Sequence, residues 1–439
     1  MRMESMPCFP ITFRPRSSPS TTTAMTEQMP ELLRNYNAAI EDNTMKELST
    51  RSTHFTDSVI RRMTRIANKY GAVNLSQGFP DFDPPVEITD RLAEVAKTGP
   101  HQYALTWGAK NFRDAVAAKY KHFSGISVDP ESEIVVTCGS TEAMMASMLS
   151  ITNPGDKVVV FSPFYENYGA DAILSGAEPV YVPLNPPAFT FDEKVLEQAC
   201  STPGAKAVIL CNPSNPCGKV FTLEEMTQIA DLAKKYDLYV ITDEVYEHII
   251  YAPNKHVYMQ ALPGMRERTI VCNSLSKTYS ITGWRLGYVI AAPVIADRVK
   301  KVHDFLTVGA AAPLMEAAVT GLQFEDSYYE ELAAHYAHMK EVFVGGLQQL
   351  GFRYTDPQGA YYVLVDVSEF GVKDDVKFCE WLAQYVGVAA VPGSSFFRED
   401  VNYLIRFHFA KKDETLQEAL RRLGHLREIA ANAADVDWR

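Results

Sequence analysis

From about Phe55 onward, apolar positions follow two alternating periods. Residues 109–122, AKNFRDAVAAKYKH, place Phe112, Val116 and Tyr120 four apart, which puts them on one helical face. EIVVTCGS then predicts a buried strand that runs into the helix TEAMMASMLSI. NPGDKVVVFSP reads as a turn and a strand, and EPVYVPL and AKAVILCNP as further strands. LEEMTQIADLAKKYD is an amphipathic helix, and LYVITDE and RTIVCNSLSK are apolar strands with polar ends. Strands separated by helices predict βαβ units and a mostly parallel sheet flanked by helices, an α/β architecture. After about Asp326 a long helical stretch, the strand AYYVLVDVS, a helix near DDVKFCEWLAQY, the strand YLIRFHFA and a terminal helix predict a smaller α+β domain.

Sheets of this kind bind ligands at the carboxyl ends of their strands. The polar clusters fall there: Gly139 to Thr141, Asn212 to Gly218, Asp243 to Tyr246, and Ser274 to Lys277. Four distant segments therefore converge on one crevice.

Each cluster has an ordinary role and a chemical one. Lys277, alone, reads as a solvated surface residue. Flanked by Ser274, Ser276 and Thr278 and followed by Arg285, it could instead form an imine with an aldehyde cofactor, with hydroxyls and Arg285 on a phosphate. Asp243 is either a helix N-cap or a carboxylate beneath a pyridine nitrogen. Tyr246 packs in a core or donates to the ring's phenolic oxygen. NPSNPCGK is a tight loop, or one that aims the Asn215 amide at the same oxygen. Ser140 and Thr141 open a helix whose N–H groups suit an anion. Arg406 interrupts an apolar strand, as a structural ion pair or as a two-pronged grip on a carboxylate.

Composition narrows the classes. A formal charge of -12 argues against a nucleic-acid surface. No apolar run approaches the ~18 residues of a membrane helix. Seven cysteines without a C-x-x-C pair read as reduced thiols of an intracellular protein. No metal pattern stands out among the ten histidines; His335 and His338 share a helix face that reads as solvated. Residues 1–45, rich in Ser, Thr, Arg and Pro, are expected to be a disordered tail or a transit peptide. Location is accordingly cytoplasmic or organellar, in a plastid or mitochondrion.

Together, NLSQGFPDFDPP, QYALTWG, CGSTEA, NPSNPCGK, TDEVY, SLSKTYSITGWRLG and RFHFA resemble the class I/II aminotransferases of pyridoxal-phosphate fold type I, over roughly Val73 to Phe409. The opening piece looks most like the kynurenine, glutamine and methionine aminotransferase branch. The resemblance implies an N-terminal segment over 46–95 packing with the small domain, a large cofactor-binding domain over 96–325 and a small domain over 326–439. It implies that Lys277 carries pyridoxal 5'-phosphate and shuttles the proton, that Asp243 pairs the ring nitrogen, and that Asn215 and Tyr246 meet the ring oxygen. Ser140, Thr141, Ser274 and Arg285 would hold the phosphate, Tyr165 would stack on the ring, and Tyr103 would reach the phosphate from the second subunit of a homodimer. Arg406, beside Gly78, would hold the substrate α-carboxylate. Cys217 stands where the family usually has Thr.

The activity so implied transfers an amino group from an L-amino acid to a 2-oxo acid. The segment DFLTVGAAAPLMEAA is expected to line the side-chain pocket and has no Lys or Arg. With Phe79, Tyr103, Trp107 and Tyr361, it suggests a neutral or aromatic donor of the kynurenine, Gln, Met or Phe kind. The alternatives are a cysteine-conjugate C–S lyase on the same scaffold and a non-catalytic binding protein that kept the fold.

Overall fold

The expected alternation of strands and helices is realised around a seven-stranded sheet. This computed structural model describes residue 46 and residues 48–53, 58–433 and 436–439. The expected tail, 1–45, lies outside the described residues. A single 3₁₀ turn spans Thr50–Thr53.

Helix α1 (Val59–Tyr70) is capped by the Ser58 side chain and ends at Gly71, whose φ of 61° is the left-handed conformation that favours glycine. Its buried residues, Met63 and Ala67, are one turn apart. Strand β1 (Val73–Asn74) follows, then α2 (Val86–Thr98) and α3 (Lys110–Ser124).

The large sheet contains β2 (Ile134–Thr137), β3 (Lys157–Ser162), β4 (Glu178–Pro183), β5 (Ala205–Cys211), β6 (Tyr239–Asp243), β7 (Thr269–Ser274) and β8 (Gly287–Ile290). Their order is β2-β8-β7-β6-β5-β3-β4. The pairs from β7 through β4 are parallel, whereas β8 is antiparallel to both neighbours. Both faces are covered, as parallel strands require. Val159, Val208, Leu210 and Val240 enter one core, while Val158, Val160, Ile209 and Ile241 enter the other. Each such side chain contributes about 1.5–3 kcal/mol by leaving water. Around the sheet lie α4 (Ser140–Ile151), α5 (Asn167–Leu174), α6 (Glu193–Cys200), α7 (Leu223–Lys235), α8 (Pro293–Thr307) and α9 (Ala312–Leu322).

The C-terminal part holds α10 (Asp326–Gln349), β9 (Arg353–Tyr354), β10 (Tyr362–Asp366), α11 (Asp375–Trp381), β11 (Val388–Ala389), β12 (Val391–Pro392), β13 (Leu404–His408), α12 (Asp413–Leu423) and α13 (Leu426–Asn432). Its sheet is antiparallel, ordered β12-β13-β10-β9. Met63 of α1 and Leu75 join the core beneath it, and β1 pairs with β11. By contrast, α2 packs on α9. Among the described residues, no helix is long and apolar enough to cross a membrane.

Candidate active site

The carboxyl ends of β5, β6 and β7 open into a cavity of about 490 Å³. Parallel registers set Cys211, Asp243 and Cys272 side by side there. The chain leaves β6 at Asp243 with its side chain buried. The Tyr168 hydroxyl donates to Oδ2 of Asp243 at 2.7 Å, and the Val245 amide approaches Oδ1 at 3.4 Å. Burial raises this carboxyl above the usual range, against the pull of the Tyr168 hydrogen bond. A cation beside it would restore its charge.

Lys277 follows the end of β7 and lines the same cavity. Its Nζ donates to the Gly78 carbonyl at 3.2 Å and stands 5.8 Å from the ring centres of Tyr246 and Tyr361. Burial pushes its amine down to about 8, with the Arg285 and Arg406 charges adding to the effect and Asp243 opposing it. A Lys in this state supplies a neutral, nucleophilic amine close to neutral pH.

One end of the cavity is built for an anion. Helix α4 starts after Gly139 with no side-chain cap, so its first N–H groups, at Ser140 and Thr141, remain open. The Ser274 hydroxyl is buried without a hydrogen-bond partner. Arg285 donates to Thr282 O at 3.0 Å and lies against Gly139, where a Cβ would sit 2.4 Å from its Nη2. Glycine at 139 is thus required for the guanidinium to approach. A Cβ at Gly287 would fall 2.8 Å from the Ser140 nitrogen, so β8 also needs glycine to bring Arg285 to the helix start. Open amides, an orphaned hydroxyl and a guanidinium fit a phosphate.

At the other end, Arg406 of β13 is wholly buried. It donates from Nη1 to Asn215 Oδ1 and from Nη2 to Ser76 O, both at 2.7 Å. Its guanidinium lies 4.4 Å from the Tyr362 ring centre and 4.6 Å from that of Phe396, and Nε has no partner. Gly78 packs so closely that a Cβ would overlap the Tyr362 hydroxyl at 2.2 Å. Tyr246 and Tyr362 share a hydrogen bond of 2.8 Å.

The cavity therefore gathers Lys277, Asp243, Tyr246, Asn215, Ser140, Thr141, Tyr165, Ser274, Arg285, Gly78 and Arg406. Tyr103 is 88% exposed and does not line the cavity. Three expectations for the wall need correction. Trp107 turns away: Lys300 lies 4.9 Å over its ring, which packs on the core beneath the sheet, because the Trp107 carbonyl is held by the Val136 amide of β2. Tyr361 is wholly buried, its hydroxyl on Gly78 O at 3.0 Å. Tyr362, whose ring stands 4.9 Å from that of Tyr361, takes the wall position. None of residues 304–318 lines this cavity; Phe305, in the last turn of α8, and Val308, just after it, are exposed.

Tyr168, Tyr362, Glu166 and Arg61 were not foreseen. Tyr168 is three residues from Tyr165, the one sequence signal for a shared helical face. Glu166 and Arg61 carried no signal, because only tertiary packing sets α1 across from α5. The Ser58 hydroxyl donates to the Glu166 carboxylate there.

Comparison with known proteins decides the family. Residues 70–423 match the family model for aminotransferase class I and II. The chain belongs to the class I and II aminotransferases. The solved N-succinyldiaminopimelate aminotransferase of Mycobacterium tuberculosis superposes with a TM-score of 0.84 at 36% identity, covering 87% of this chain and all of that one. The methionine aminotransferase of Escherichia coli is 36% identical over 370 residues, 84% of this chain and 96% of that one. The kynurenine–oxoglutarate transaminase of Dictyostelium discoideum is 32% identical over 423 residues, 86% of this chain and 97% of that one. This aminotransferase is thus an enzyme, a pyridoxal-phosphate-dependent transaminase of fold type I.

Proposed function

We propose that this aminotransferase moves the amino group of a neutral or aromatic L-amino acid to a 2-oxo acid in a two-stage exchange, with Lys277 as the catalytic amine. The observation that carries the reading is the meeting of Lys277, Asp243, Arg285 and Arg406 on one cavity at the sheet's carboxyl end. Pyridoxal 5'-phosphate supplies, when bound, an electron-withdrawing ring that takes up the electron pair released at the substrate Cα.

This chain's residues do the rest. Lys277 attaches the cofactor and then carries the α-proton, a role its lowered pKa suits. Asp243, fixed by Tyr168, keeps the ring nitrogen protonated. Tyr246 and Asn215 would hold the ring oxygen, and Tyr165 would lie against the ring. Ser140, Thr141, Ser274 and Arg285 grip the phosphate. Arg406, aligned by Asn215 and Ser76 O, binds the α-carboxylate beside Gly78. Phe79, Ile60 and Tyr165 offer apolar wall to a donor of the methionine, glutamine, phenylalanine or kynurenine kind. The relatives' printed activities, on methionine and kynurenine, support transfer over β-elimination.

The active unit is a homodimer in which Tyr103 completes the partner's phosphate site. Tyr103, Leu105, Phe305 and Val308 are apolar and at least half exposed or nearly so, and a second copy would cover them. The Glu142 carboxylate binds His303, which holds Thr106 O at 2.8 Å and so fixes the loop carrying Tyr103.

The test is spectroscopic. Protein purified with pyridoxal phosphate should be yellow, and methionine or kynurenine should bleach it while aspartate does so more slowly. Lys277→Ala should lose covalent attachment and several orders of magnitude in rate. A colourless wild type, or one bleached fastest by aspartate, would refute the cofactor or donor assignment respectively.

A further inference from the structure

Glu244 is next to Asp243 in sequence but does not line the cavity. Its side chain is 1% exposed. Oε1 accepts from the Thr242 hydroxyl at 2.8 Å, whereas Oε2 has no hydrogen-bond partner among the described residues. The His256 side chain is 6% exposed, and neither ring nitrogen has a partner. Three buried polar atoms thus stand unused, in an interior where such atoms are normally satisfied.

The two side chains face one another. Nε2 of His256 is 3.6 Å from Oε2 of Glu244, too far for a hydrogen bond. Glu247 completes the group: a turn closed by its N–H on Glu244 O at 3.0 Å brings it alongside. One oxygen from each carboxylate and one His256 nitrogen lie within 4.8 Å of one another. Glu247 already has its cation in Lys119 at 2.7 Å, and Asn273 and Tyr258 donate to it at 2.9 Å. His248 also lies beside it at 3.3 Å, but burial pushes that imidazole down to about 4, so it is neutral. Glu244 has no charge partner among the described residues except the His256 ring.

We infer that Glu244, Glu247 and His256 form a binding site for a divalent metal ion of the zinc class. An imidazole with two carboxylates selects such an ion over calcium or magnesium, which take oxygen ligands. Zinc bonds of about 2.0–2.2 Å in a tetrahedron set ligand atoms roughly 3.3–3.6 Å apart. Glu244 and His256 already have that span, and Glu247 closes by a shift of about 1 Å. Water takes the fourth position. Thr242 aligns Glu244, and Lys119, Asn273 and Tyr258 align Glu247. The ion ties the residue after Asp243 to the segment that precedes Met259, and so stiffens the end of β6. It takes no part in the amino transfer, because none of its three ligands lines the cavity. No local spacing announces the site, since His256 joins the two carboxylates only on folding.

The experiment uses the full-length holoenzyme, stripped with a chelator and kept free of amino acids, which themselves bind metals. Equilibrium dialysis against Zn²⁺, with Mg²⁺ as competitor, gives the stoichiometry and affinity. X-ray absorption at the zinc edge gives the ligand atoms, and thermal melting gives the linkage to folding. Wild type should bind close to one Zn²⁺ that Mg²⁺ does not displace. Its zinc shell should hold nitrogen and oxygen but no sulfur, and its melting midpoint should rise with Zn²⁺. Glu244→Gln and His256→Gln change few atoms. Each should weaken Zn²⁺ at least about 100-fold, more than the loss of a residue that merely orients a ligand, and remove the rise in melting. A wild type that binds no stoichiometric Zn²⁺, a shell containing sulfur, or unaltered binding in both variants overturns the site. The first two outcomes are read on wild type alone, so they decide the matter even where a variant does not fold.

Discussion

Arg406 and Asn215 are 191 positions apart in sequence, yet the guanidinium Nη1 donates to the amide Oδ1 at 2.7 Å. The contact ties β13 of the small antiparallel sheet to the loop after β5. It also fixes the fork that faces the cavity. Asn215→Ala should leave that donor without its partner and lower kcat/KM about 10- to 100-fold. Asn215→Asp should be worse, because a carboxylate would neutralise the guanidinium and compete with substrate. Steady-state kinetics on both variants checks the order; an Asp variant more active than the Ala variant would contradict it.

Lys277 carries a pH signature in the cofactor-free protein. Its folded value, about 8, lies below the ordinary lysine value of 10.5. Below pH 8 the folded state bears the full cost of a charged, buried amine, and the cost disappears as pH rises from 8 to 10.5. Lys277→Met should therefore stabilise the apoprotein at pH 7, by on the order of 1–3 kcal/mol. Urea unfolding at pH 7 and pH 10 should show the gap closing.

Asp171 is buried on α5, three residues after Tyr168, and its Oδ2 has no partner. Burial, reinforced by the Asp243 charge, pushes its carboxyl up to about 8. Between the ordinary value near 4 and pH 8 the folded state keeps this proton and the unfolded state does not, so stability falls as pH rises through that window. Asp171→Asn should be near neutral at pH 5 and stabilising at pH 8.5 by on the order of 2–5 kcal/mol. Equal effects at both values would show that the proton is not retained.

Lys119 and Glu247 form a buried pair at 2.7 Å, with Asn273 and Tyr258 also donating to the carboxylate at 2.9 Å. Removing one charge strands the other. Glu247→Ala should cost about 3–5 kcal/mol, whereas the double change Lys119→Met with Glu247→Leu should recover most of it. Chemical denaturation of the three proteins decides the matter. A double variant no more stable than the single would mean that packing, not charge, dominates there.

Much of the seven-stranded sheet was legible because strand and helix periods are local. The runs ending in Cys211, Asp243 and Ser274 are too short and apolar for anything but buried strands, and the polar residues after them lie where parallel sheets bind ligands. The β8 strand was not legible as antiparallel: GYVI is apolar like its neighbours, and strand direction depends on the connection before it. Trp107 and Tyr361 were misplaced for a related reason. Aromatic character shows that a side chain is buried, but not into which of two adjoining spaces it turns.

By itself, the sequence determined the α/β plan of a mostly parallel sheet flanked by helices, the order of the motifs and the chemistry available at Lys277, Asp243, Arg285 and Arg406, since these follow from periodicity and residue type. Only the tertiary structure decided that Tyr168 supports Asp243, that Tyr362 rather than Tyr361 walls the site, and that Arg406 meets Asn215. Those relationships join elements distant in the chain. They are set by how the packed cores orient helices and strands against one another, a cooperative outcome that no local pattern of residues encodes.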